Sequence, residues 1–295
     1  MSENLTAADQ TAAKAALNLR ALAPSFGYEV VGVQAREIDD ARFPLIYDAF
    51  LRGQMLLFRD QDLPPGDQVA FARRFGEVQI HVMNQYHGAG HPELYYLTNL
   101  GPDGKPNGKH PDRGTLAWHT DGSWRERTGQ ATLLFAERLP TKGGDTSFAD
   151  MYGAYDALSP EERTRLKGLR AIHNLDFSRN RRHGEEPMTA AQRNAVPPMA
   201  HPVLRAHPET GRMALFLGDH AEHIEGMDYE AGRSLIDDLN ARAVDTTGVY
   251  RHKWRPGDLM VWDNRCLLHK AEAYDVANEA RVIRRCTILG SEIIQ

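Results

Sequence analysis

A histidine and an aspartate lie two residues apart in the stretch LAWHTDGSW, at His119 and Asp121. Because successive side chains of a strand point to opposite faces, an extended backbone here would direct both groups the same way. An imidazole nitrogen beside a carboxylate oxygen suits a divalent first-row metal. One further histidine would complete the two-histidine, one-carboxylate set that is typical of non-haem Fe(II) sites. Such short motifs also recur by chance, so this one predicts a metal site only with further support.

The third metal ligand predicted from the sequence is His269, in VWDNRCLLHKA. It is one of 13 histidines, but it follows a strand-like segment instead of lying in a polar loop. The alternative interpretation is that His119 and Asp121 form a hydrogen-bonded pair and that His269 is a core histidine.

Two arginines in the strand-like segment ARVIRRCTIL provide independent support for a site. Their spacing of four places Arg281 and Arg285 on one face of a strand. A guanidinium that points into a β-rich core keeps its charge and must meet an anion there. The pair therefore predicts two anionic partners, or one carboxylate held bidentately. The alternative is a basic strand edge that faces solvent.

Composition limits the class of protein. The chain has 295 residues, 41% hydrophobic and 25% charged, with a net charge of −5. No run of like charges reaches five residues, so no nucleic-acid partner is expected. No apolar stretch is long enough for a membrane span, and the first residues lack the pattern of a signal peptide. With only two cysteines, a reducing cytoplasm is expected.

Short β-rich runs recur along the chain, whereas helical patterns are few and do not alternate regularly with strands. This predicts a mainly β fold with peripheral helices (α+β), in a single domain over residues 1–295 with a peripheral extension at 1–26. Helices are expected at Pro64–Phe75 and Asp228–Ala243, with Ser159 as the N-cap of another. Polar stretches at 81–114, interrupted by a strand, and at 178–198 are expected to be active-site or lid loops. The predicted strands are Tyr28–Val33, Gln54–Phe58, Glu93–Asn99, Ala131–Ala136, Met213–Gly218, Asp258–Asp263 and Arg281–Gly290.

Several motifs in fixed order resemble those of the taurine/2,4-D dioxygenase family. They are WHTDGSW, GGDTSFADMYGAYDALS, HPETGR, WDNRCLLH and ARVIRRCTILG, and the resemblance runs from about Gly27 to Gly290. It implies a double-stranded β-helix (jelly-roll) core and an oxygenase that uses Fe(II), 2-oxoglutarate as cosubstrate, and O2.

The resemblance also implies roles for individual residues. His119, Asp121 and His269 fall on the family's iron ligands. Thr146, in GGDTSF, falls on the threonine whose hydroxyl supports the distal 2-oxoglutarate carboxylate, and Arg281 falls on the arginine that pairs with that carboxylate.

Three further positions concern the cosubstrate and the substrate. Trp262 falls on a tryptophan close to the cosubstrate, although a purely core role is an equal alternative. Arg285 falls on the arginine near the substrate's acidic group. In LFLGDHAEHIEGMD, His220 falls on a histidine near the substrate in the phenoxyalkanoate members, and His223 is the less favoured alternative.

The expected reaction is therefore hydroxylation of a small anionic organic substrate, an aryloxyalkanoate-type carboxylate whose ether bond is then cleaved. A taurine, alkylsulfonate or alkylsulfate dioxygenase is the alternative within the family. A non-catalytic, metal-binding jelly-roll sensor is an alternative of another class. The resemblance also implies a homo-oligomer.

Overall fold

A computed structural model describes residues 17–185 and 187–291. Strands predominate in it, and helices are fewer. Short 3₁₀ turns lie at Ala35–Glu37, Asn84–Tyr86 and Arg113–Leu116, and a π-helical turn at Phe177–Arg182. The strands are β1 (Leu19–Ala21), β2 (Tyr28–Val30), β3 (Met55–Phe58), β4 (His87–Gly88), β5 (His91–Thr98), β6 (Gly129–Arg138), β7 (Thr146–Asp150), β8 (Arg170–His173), β9 (Met199–Pro202), β10 (Leu204–Ala206), β11 (Met213–Leu215), β12 (Ala221–Ile224), β13 (Val249–His252), β14 (Leu259–Asp263), β15 (Leu267–Ala271) and β16 (Val282–Leu289). The helices are α1 (Phe43–Gly53), α2 (Pro65–Arg73), α3 (Met151–Asp156), α4 (Pro160–Leu166), α5 (Ala190–Ala195) and α6 (Tyr229–Thr247).

One large sheet organises the fold. Its eight strands lie in the order β1-β2-β3-β14-β6-β16-β5-β4. Neighbouring strands are antiparallel except for the parallel pair of β2 and β3. Three smaller sheets accompany it, with the orders β13-β7-β15, β12-β8-β9 and β10-β11. Strands from both ends of the chain thus meet at the centre of the large sheet.

The two faces of the large sheet bury two separate cores. Alternate residues of β14 point to opposite faces of the sheet. Met260 and Trp262 belong to one core, and Leu259 and Val261 belong to the other. The second core is covered by the apolar sides of α1 and α2, which contribute residues such as Phe50. The large sheet is therefore buried on both faces at its centre.

The first core lies between the large sheet and the sheet β13-β7-β15. Phe148 of β7 packs edge-on against Trp262 of β14, with ring centroids 5.3 Å apart. Beyond β15, an isolated antiparallel bridge joins His119 to His269. This bridge places His119 beside β15, on the side that faces the large sheet's inner residues.

The strands and helices predicted from the sequence are confirmed. Every predicted strand overlaps an observed one, from β2 to β16, and the two predicted helices correspond to α2 and α6. Ser159 caps α4 through a capping box with Glu162, and Asp228 caps α6 by accepting a hydrogen bond from the backbone N–H of Ala231.

The stretch 178–198, expected to be an active-site or lid loop, includes regular structure. This stretch contains most of the π-helical turn and all of α5, whose N-cap Thr189 forms a capping box with Gln192. The sequence also did not predict α1, which has no side-chain hydrogen bond at its N-cap. Of the proposed extension 1–26, residues 1–16 lie outside the described residues, and β1 pairs with β2 at the sheet edge.

The structure also bears on two further expectations from the sequence, which concern membrane spans and cysteines. Among the described helices, none has both the length and the apolarity that crossing a membrane requires. Cys266 and Cys286 are both buried as free thiols.

Candidate functional site

His119, Asp121 and His269 converge in the structure. Their ligand atoms lie within 4.8 Å of one another, and all three side chains are buried. The bridge between the two histidines is reciprocal, with N–H to carbonyl distances of 2.9 and 2.8 Å. As a result, the two imidazole rings lie 4.2 Å apart, and each Nε2 faces the carboxylate of Asp121, at 3.9 Å from His119 and 3.8 Å from His269.

Hydrogen bonds fix the orientation of these groups. His119 donates from Nδ1 to the carbonyl of Ala117 over 2.8 Å, which leaves the lone pair on Nε2 for a metal. The Oδ2 atom of Asp121 accepts a hydrogen bond of 2.7 Å from Thr132. Thr132 in turn accepts one from the amide of Asn264 over 2.9 Å. The sequence analysis missed both Thr132 and Asn264, although Asn264 belongs to the quoted motif WDNRCLLH.

The charges of the triad match a divalent cation. Burial raises the pKa of Asp121, but the neighbouring Arg285, His269 and His119 outweigh that effect and leave the pKa below its ordinary value. Burial likewise holds the pKa of His269 well below its ordinary value, so this imidazole is neutral. The nitrogen of His269 and the carboxylate of Asp121 are thus ready to bind a metal without first losing a proton.

Trp262 is a core aromatic that also borders a cavity. Its ring is fully buried in the first core and lies 4.6 Å from the ring of His269. Its Nε1 donates to the Oδ1 atom of Asn264 over 2.9 Å. Trp262 therefore supports the triad through packing and through the hydrogen bonds of Asn264, and it also lines the cavity next to His269.

A cavity adjoins the triad on one side, and Thr146 and Arg281 line it. Arg281 is 3% exposed, and its Nε donates to the carbonyl of Gly144 over 3.3 Å. Burial lowers its pKa to about 10, so it remains charged at neutral pH. Among the ion pairs of residues 17–185 and 187–291, none involves Arg281. A buried cation of this kind requires an anion, so the cavity fits a carboxylate-bearing cosubstrate.

The hydroxyl of Thr146 has a defined orientation. Trp254 donates from Nε1 to Thr146 Oγ1 over 3.0 Å. Because the oxygen accepts this bond, its own hydrogen is available to an acceptor in the cavity. Thr146 and Arg281 together thus offer hydrogen-bond donors to the same anion.

A second cavity lies on the other side of the triad. His119, Asp121 and Arg285 line both cavities, and NH1 of Arg285 lies 3.3 Å from Oδ1 of Asp121. Polar and apolar side chains both contribute to its walls. The lining also includes residues that the sequence did not point to, among them Gln79, His81, Trp124, Leu175 and Arg179.

His220 lines this second cavity, whereas His223 does not. The ring of His220 lies 6.0 Å from that of His119, and its Nδ1 lies 3.3 Å from the hydroxyl oxygen of Ser123. Burial lowers the pKa of His220 to about 4, so the ring is neutral at neutral pH. The ring of His223 packs instead against Tyr229, at 5.5 Å.

The two stretches expected to be active-site loops do reach the cavities. His81, Asp112 and Gly114 come from the first stretch, 81–114, and Ser178 and Arg179 come from the second, 178–198. Sequence alone offered no means of choosing these residues among the many polar ones in both stretches.

A second group with metal-ligand chemistry, His207, Asp263 and Cys266, lies elsewhere. Its carboxylate is already paired, because Arg265 donates to both oxygens of Asp263, over 2.8 and 2.6 Å, and His207 Nε2 lies 3.0 Å from Oδ2. Arg265 also bonds Glu209, so that the motif HPETGR is tied to the motif WDNRC. Burial raises the pKa of Cys266 well above its ordinary value, which keeps it a thiol. This group is an ion network that holds the turn bearing Asn264.

Replacing Asp263 by asparagine is expected to lower the free energy of unfolding by about 3–5 kcal/mol, because Arg265 would lose its buried ionic partner and keep only the partly exposed Glu209. Burial raises the pKa of Asp263, but Arg265 and His207 outweigh it and leave the pKa below its ordinary value. The stabilisation is therefore fully present above the unfolded pKa of about 3.9 and is lost as the pH falls through the lower folded value. Urea unfolding of wild type and variant from neutral pH to about pH 3 measures both effects.

The exposed Asp48, which pairs with Arg52 on α1, provides the matched control. Asp48→Asn should cost less than about 1 kcal/mol, as is usual for surface ion pairs. Equal costs for the two variants, or a difference that does not shrink in acid, would contradict the assigned role of Asp263.

Comparison with known proteins gives one consistent result. The family model described as "Taurine catabolism dioxygenase TauD, TfdA family" matches residues 18–287. An alpha-ketoglutarate-dependent 2,4-dichlorophenoxyacetate dioxygenase of Cupriavidus pinatubonensis is 39% identical over 250 residues, which cover 81% of this chain and 86% of the relative. An (S)-phenoxypropionate/alpha-ketoglutarate-dioxygenase of Sphingobium herbicidovorans is 33% identical over 289 residues, which cover 93% of this chain and 96% of the relative.

A solved structure is similar over the same length. The crystal structure of AAD-2 in complex with Mn(II) and N-oxalylglycine matches with a TM-score of 0.84 and 33% identity, covering 94% of this chain and 100% of that one. The buried His–Asp–His triad and the arginine-lined cavity beside it agree with these similarities. The chain therefore belongs to the TauD/TfdA family, the dioxygenases that depend on Fe(II), 2-oxoglutarate and O2.

Proposed function

We propose that this dioxygenase hydroxylates a small aryloxyalkanoate-type carboxylate next to its ether oxygen and so cleaves the ether. The observation that carries the proposal is the position of the triad between two cavities, one with Arg281 and the other reaching Gln79 and Trp124, with Arg285 at their junction. Two buried arginines on one strand face can bind two different acids, which are the cosubstrate and the substrate. The two relatives compared above are named for phenoxy acids.

On the cofactor side, we assign Fe(II) to His119, Asp121 and His269. The distal carboxylate of 2-oxoglutarate is assigned to Arg281 and Thr146, which present donors to one cavity. Bound Fe(II) and 2-oxoglutarate supply the activation of O2 that oxidises a C–H bond of the substrate. The protein contributes fixed ligand orientation and a wall of buried side chains that keeps water out.

On the substrate side, we assign the acidic group to Arg285, with Gln79 as a neighbouring polar group. Because Arg285 also contacts Asp121, an acid bound by it lies beside the triad, and the adjacent carbon is exposed to oxidation. Trp124 and Leu175 form an apolar surface for an aromatic ring. The neutral ring of His220 extends that surface towards His119.

The position of hydroxylation explains the cleavage. A hydroxyl on the carbon that bears the ether oxygen makes a hemiacetal from phenoxyacetate and a hemiketal from 2-phenoxypropionate, which break down to a phenol and an aldehyde or a ketone, respectively. Arg285 decides which carbon this is, because it holds the acid and leaves the neighbouring carbon next to the triad. No further group on the protein is needed for the breakdown.

The proposal also covers the core architecture, the oligomeric state and the cellular location of the protein. We assign the large sheet and the sheet β13-β7-β15 to the two layers of a jelly-roll core, supported by the shared core between them. The chain is proposed to act as one domain, to form a homo-oligomer and to work in the cytoplasm. The two buried thiols are consistent with a reducing compartment.

A substrate panel tests the function directly. Purified protein supplied with Fe(II), ascorbate and 2-oxoglutarate should release succinate and a phenol in equal amounts when phenoxyacetate or 2-phenoxypropionate is added. Taurine and an alkyl sulfate should give little succinate above the substrate-free rate. Chromatographic measurement of succinate and phenol checks both statements.

The same panel separates the alternatives. Succinate release that depends on taurine or alkyl sulfate, and not on phenoxy acids, would replace the proposed substrate class by the sulfur-containing one. Bound iron with no succinate release for any acid would favour a metal-binding sensor and contradict an enzymatic role.

A further inference from the structure

Two arginines from different elements line the substrate cavity. Arg285 comes from β16, and Arg179 comes from the π-helical turn Phe177–Arg182. Arg179 is only 7% exposed, although it belongs to a stretch that is otherwise rich in surface arginines. A buried guanidinium at a cavity wall is a costly feature, because it must keep its charge away from water.

The hydrogen bonding of Arg179 is incomplete. Its NH2 lies 2.8 Å from Oε2 of Glu185, a buried ion pair. Its Nε is buried and has no partner among the described residues. A guanidinium offers five N–H donors in a fixed plane, so Arg179 has donors beyond those that Glu185 engages.

Glu185 has a second partner of its own. Its Oε1 accepts a hydrogen bond of 2.6 Å from the backbone N–H of Arg113, in the neighbouring 3₁₀ turn. Glu185 would therefore remain hydrogen-bonded if Arg179 turned to another anion. Burial and the nearby Asp112 raise the pKa of Glu185, which means that the charged form of this carboxylate is destabilised where it lies.

Both guanidiniums act on the same part of the cavity. Burial is the main cause that lowers the pKa of His81, and Arg285, Arg125 and Arg179 lower it further, against the opposing charge of Asp121. His81 thus lies in a positive field to which Arg179 and Arg285 both contribute. Such a field attracts the acidic end of a substrate.

We propose that Arg179 binds the acidic group of the substrate together with Arg285, and that Glu185 is the counter-ion which this group displaces. The inference rests on the proposed function, since it concerns the same cavity and the same acid. The two oxygens of a carboxylate have about four acceptor positions, enough for donors from two guanidiniums. The cavity therefore selects small organic monoanions over neutral compounds of the same shape.

Equilibrium binding tests this arrangement without turnover. The protein loaded with Mn(II) and N-oxalylglycine is titrated with phenoxyacetate, benzoate and methanesulfonate, and with neutral 2-phenoxyethanol. Arg179→Met should raise the Kd of the anions about 10-fold or more, because hydrogen bonds to charged groups contribute about 1.5–3 kcal/mol. It should leave weak binding of 2-phenoxyethanol unchanged.

The partner variant predicts the opposite change. Glu185→Gln removes the competing charge and keeps a hydrogen-bond acceptor for Arg113, so it should lower the Kd of the anions. Arg181→Met is the matched control, because Arg181 lies on the same turn, is exposed and pairs with Glu222. Its Kd values should equal those of the wild type, and thermal unfolding of each variant checks that it is folded.

The outcomes separate this inference from the proposed function. Anion binding that is the same in Arg179→Met and wild type overturns the inference, as does weaker binding in Glu185→Gln, which would mean that the ion pair only holds the segment in place. The expected pattern of Kd values without succinate release from phenoxyacetate keeps the inference and rejects the substrate class. If none of the three anions binds the wild-type protein, both proposals fail.

Discussion

His119→Ala is expected to abolish both metal binding and turnover. His119 supplies one of three ligand atoms that lie within 4.8 Å of one another, and its backbone bridge to His269 fixes its position. No other described histidine can take its place, because His220 is the nearest and its ring is 6.0 Å away, with Nδ1 next to Ser123. The loss of affinity should exceed the ~10–100-fold that follows when an outer-shell partner is removed.

Metal content after dialysis against Mn(II) measures this result independently of activity. The wild type should retain about one equivalent and the variant almost none. Asp121→Asn tests the same site with less change of shape, and it too should lose the metal because the site loses its only carboxylate. His91→Ala, at the start of β5 and away from both cavities, is the control and should keep the full metal content. A His119→Ala protein that keeps its metal and its activity would refute the assignment.

Arg281→Ala is expected to raise the concentration of 2-oxoglutarate required for half-maximal rate, and to leave metal binding intact. Arg281 is charged, buried and without an ion pair in the described part of the chain, so a bound carboxylate gains most of its stabilisation there. Removing one partner of a buried, hydrogen-bonded charge pair costs about 2–5 kcal/mol, which corresponds to roughly 30-fold or more in affinity. The orientation of Thr146 by Trp254 should persist, so some binding should remain.

Titration of the Mn(II)-loaded protein with N-oxalylglycine gives a readout besides activity. The affinity for N-oxalylglycine should fall in Arg281→Ala, whereas the Mn(II) content should match the wild type. Arg138→Ala, an exposed arginine at the end of β6, should change neither quantity. An unchanged dependence on 2-oxoglutarate would remove Arg281 from this role, and loss of the metal as well would show that the residue acts on folding.

Features with a local period could be predicted from the sequence. The β-branched and aromatic residues of Asp258–Asp263 predicted a strand, and β14 directs Trp262 and Val261 into different cores. The spacing of Arg281 and Arg285 predicted one shared face, and both line the cavities beside the triad. Helix α1 was missed, because its N-cap is Arg42 and not one of the short polar residues that mark the start of a helix in a sequence.

The composition of the site was decided by contacts between distant segments. The sequence predicted His119, Asp121 and His269 as candidates, because residue type and strand period are local properties. Their meeting depends on a bridge between residues far apart in the chain, and the carboxylate is held by Thr132 and Asn264, from strand β6 and from the turn that follows β14.

The residues of the substrate cavity likewise include one that the sequence predicted and others that only the structure identified. Arg285 was recognisable from its strand, but Arg179 and Glu185 lie in a polar stretch where one arginine resembles the next. Burial alone distinguishes Arg179, at 7% exposure, from the exposed Arg181. The sequence by itself thus determined the family, through the resemblance of its ordered motifs. It also determined the candidate ligands and the faces they share, since these follow from residue type and backbone period. Only the tertiary structure decided which side chains surround the substrate, because burial and strand register depend on the whole fold.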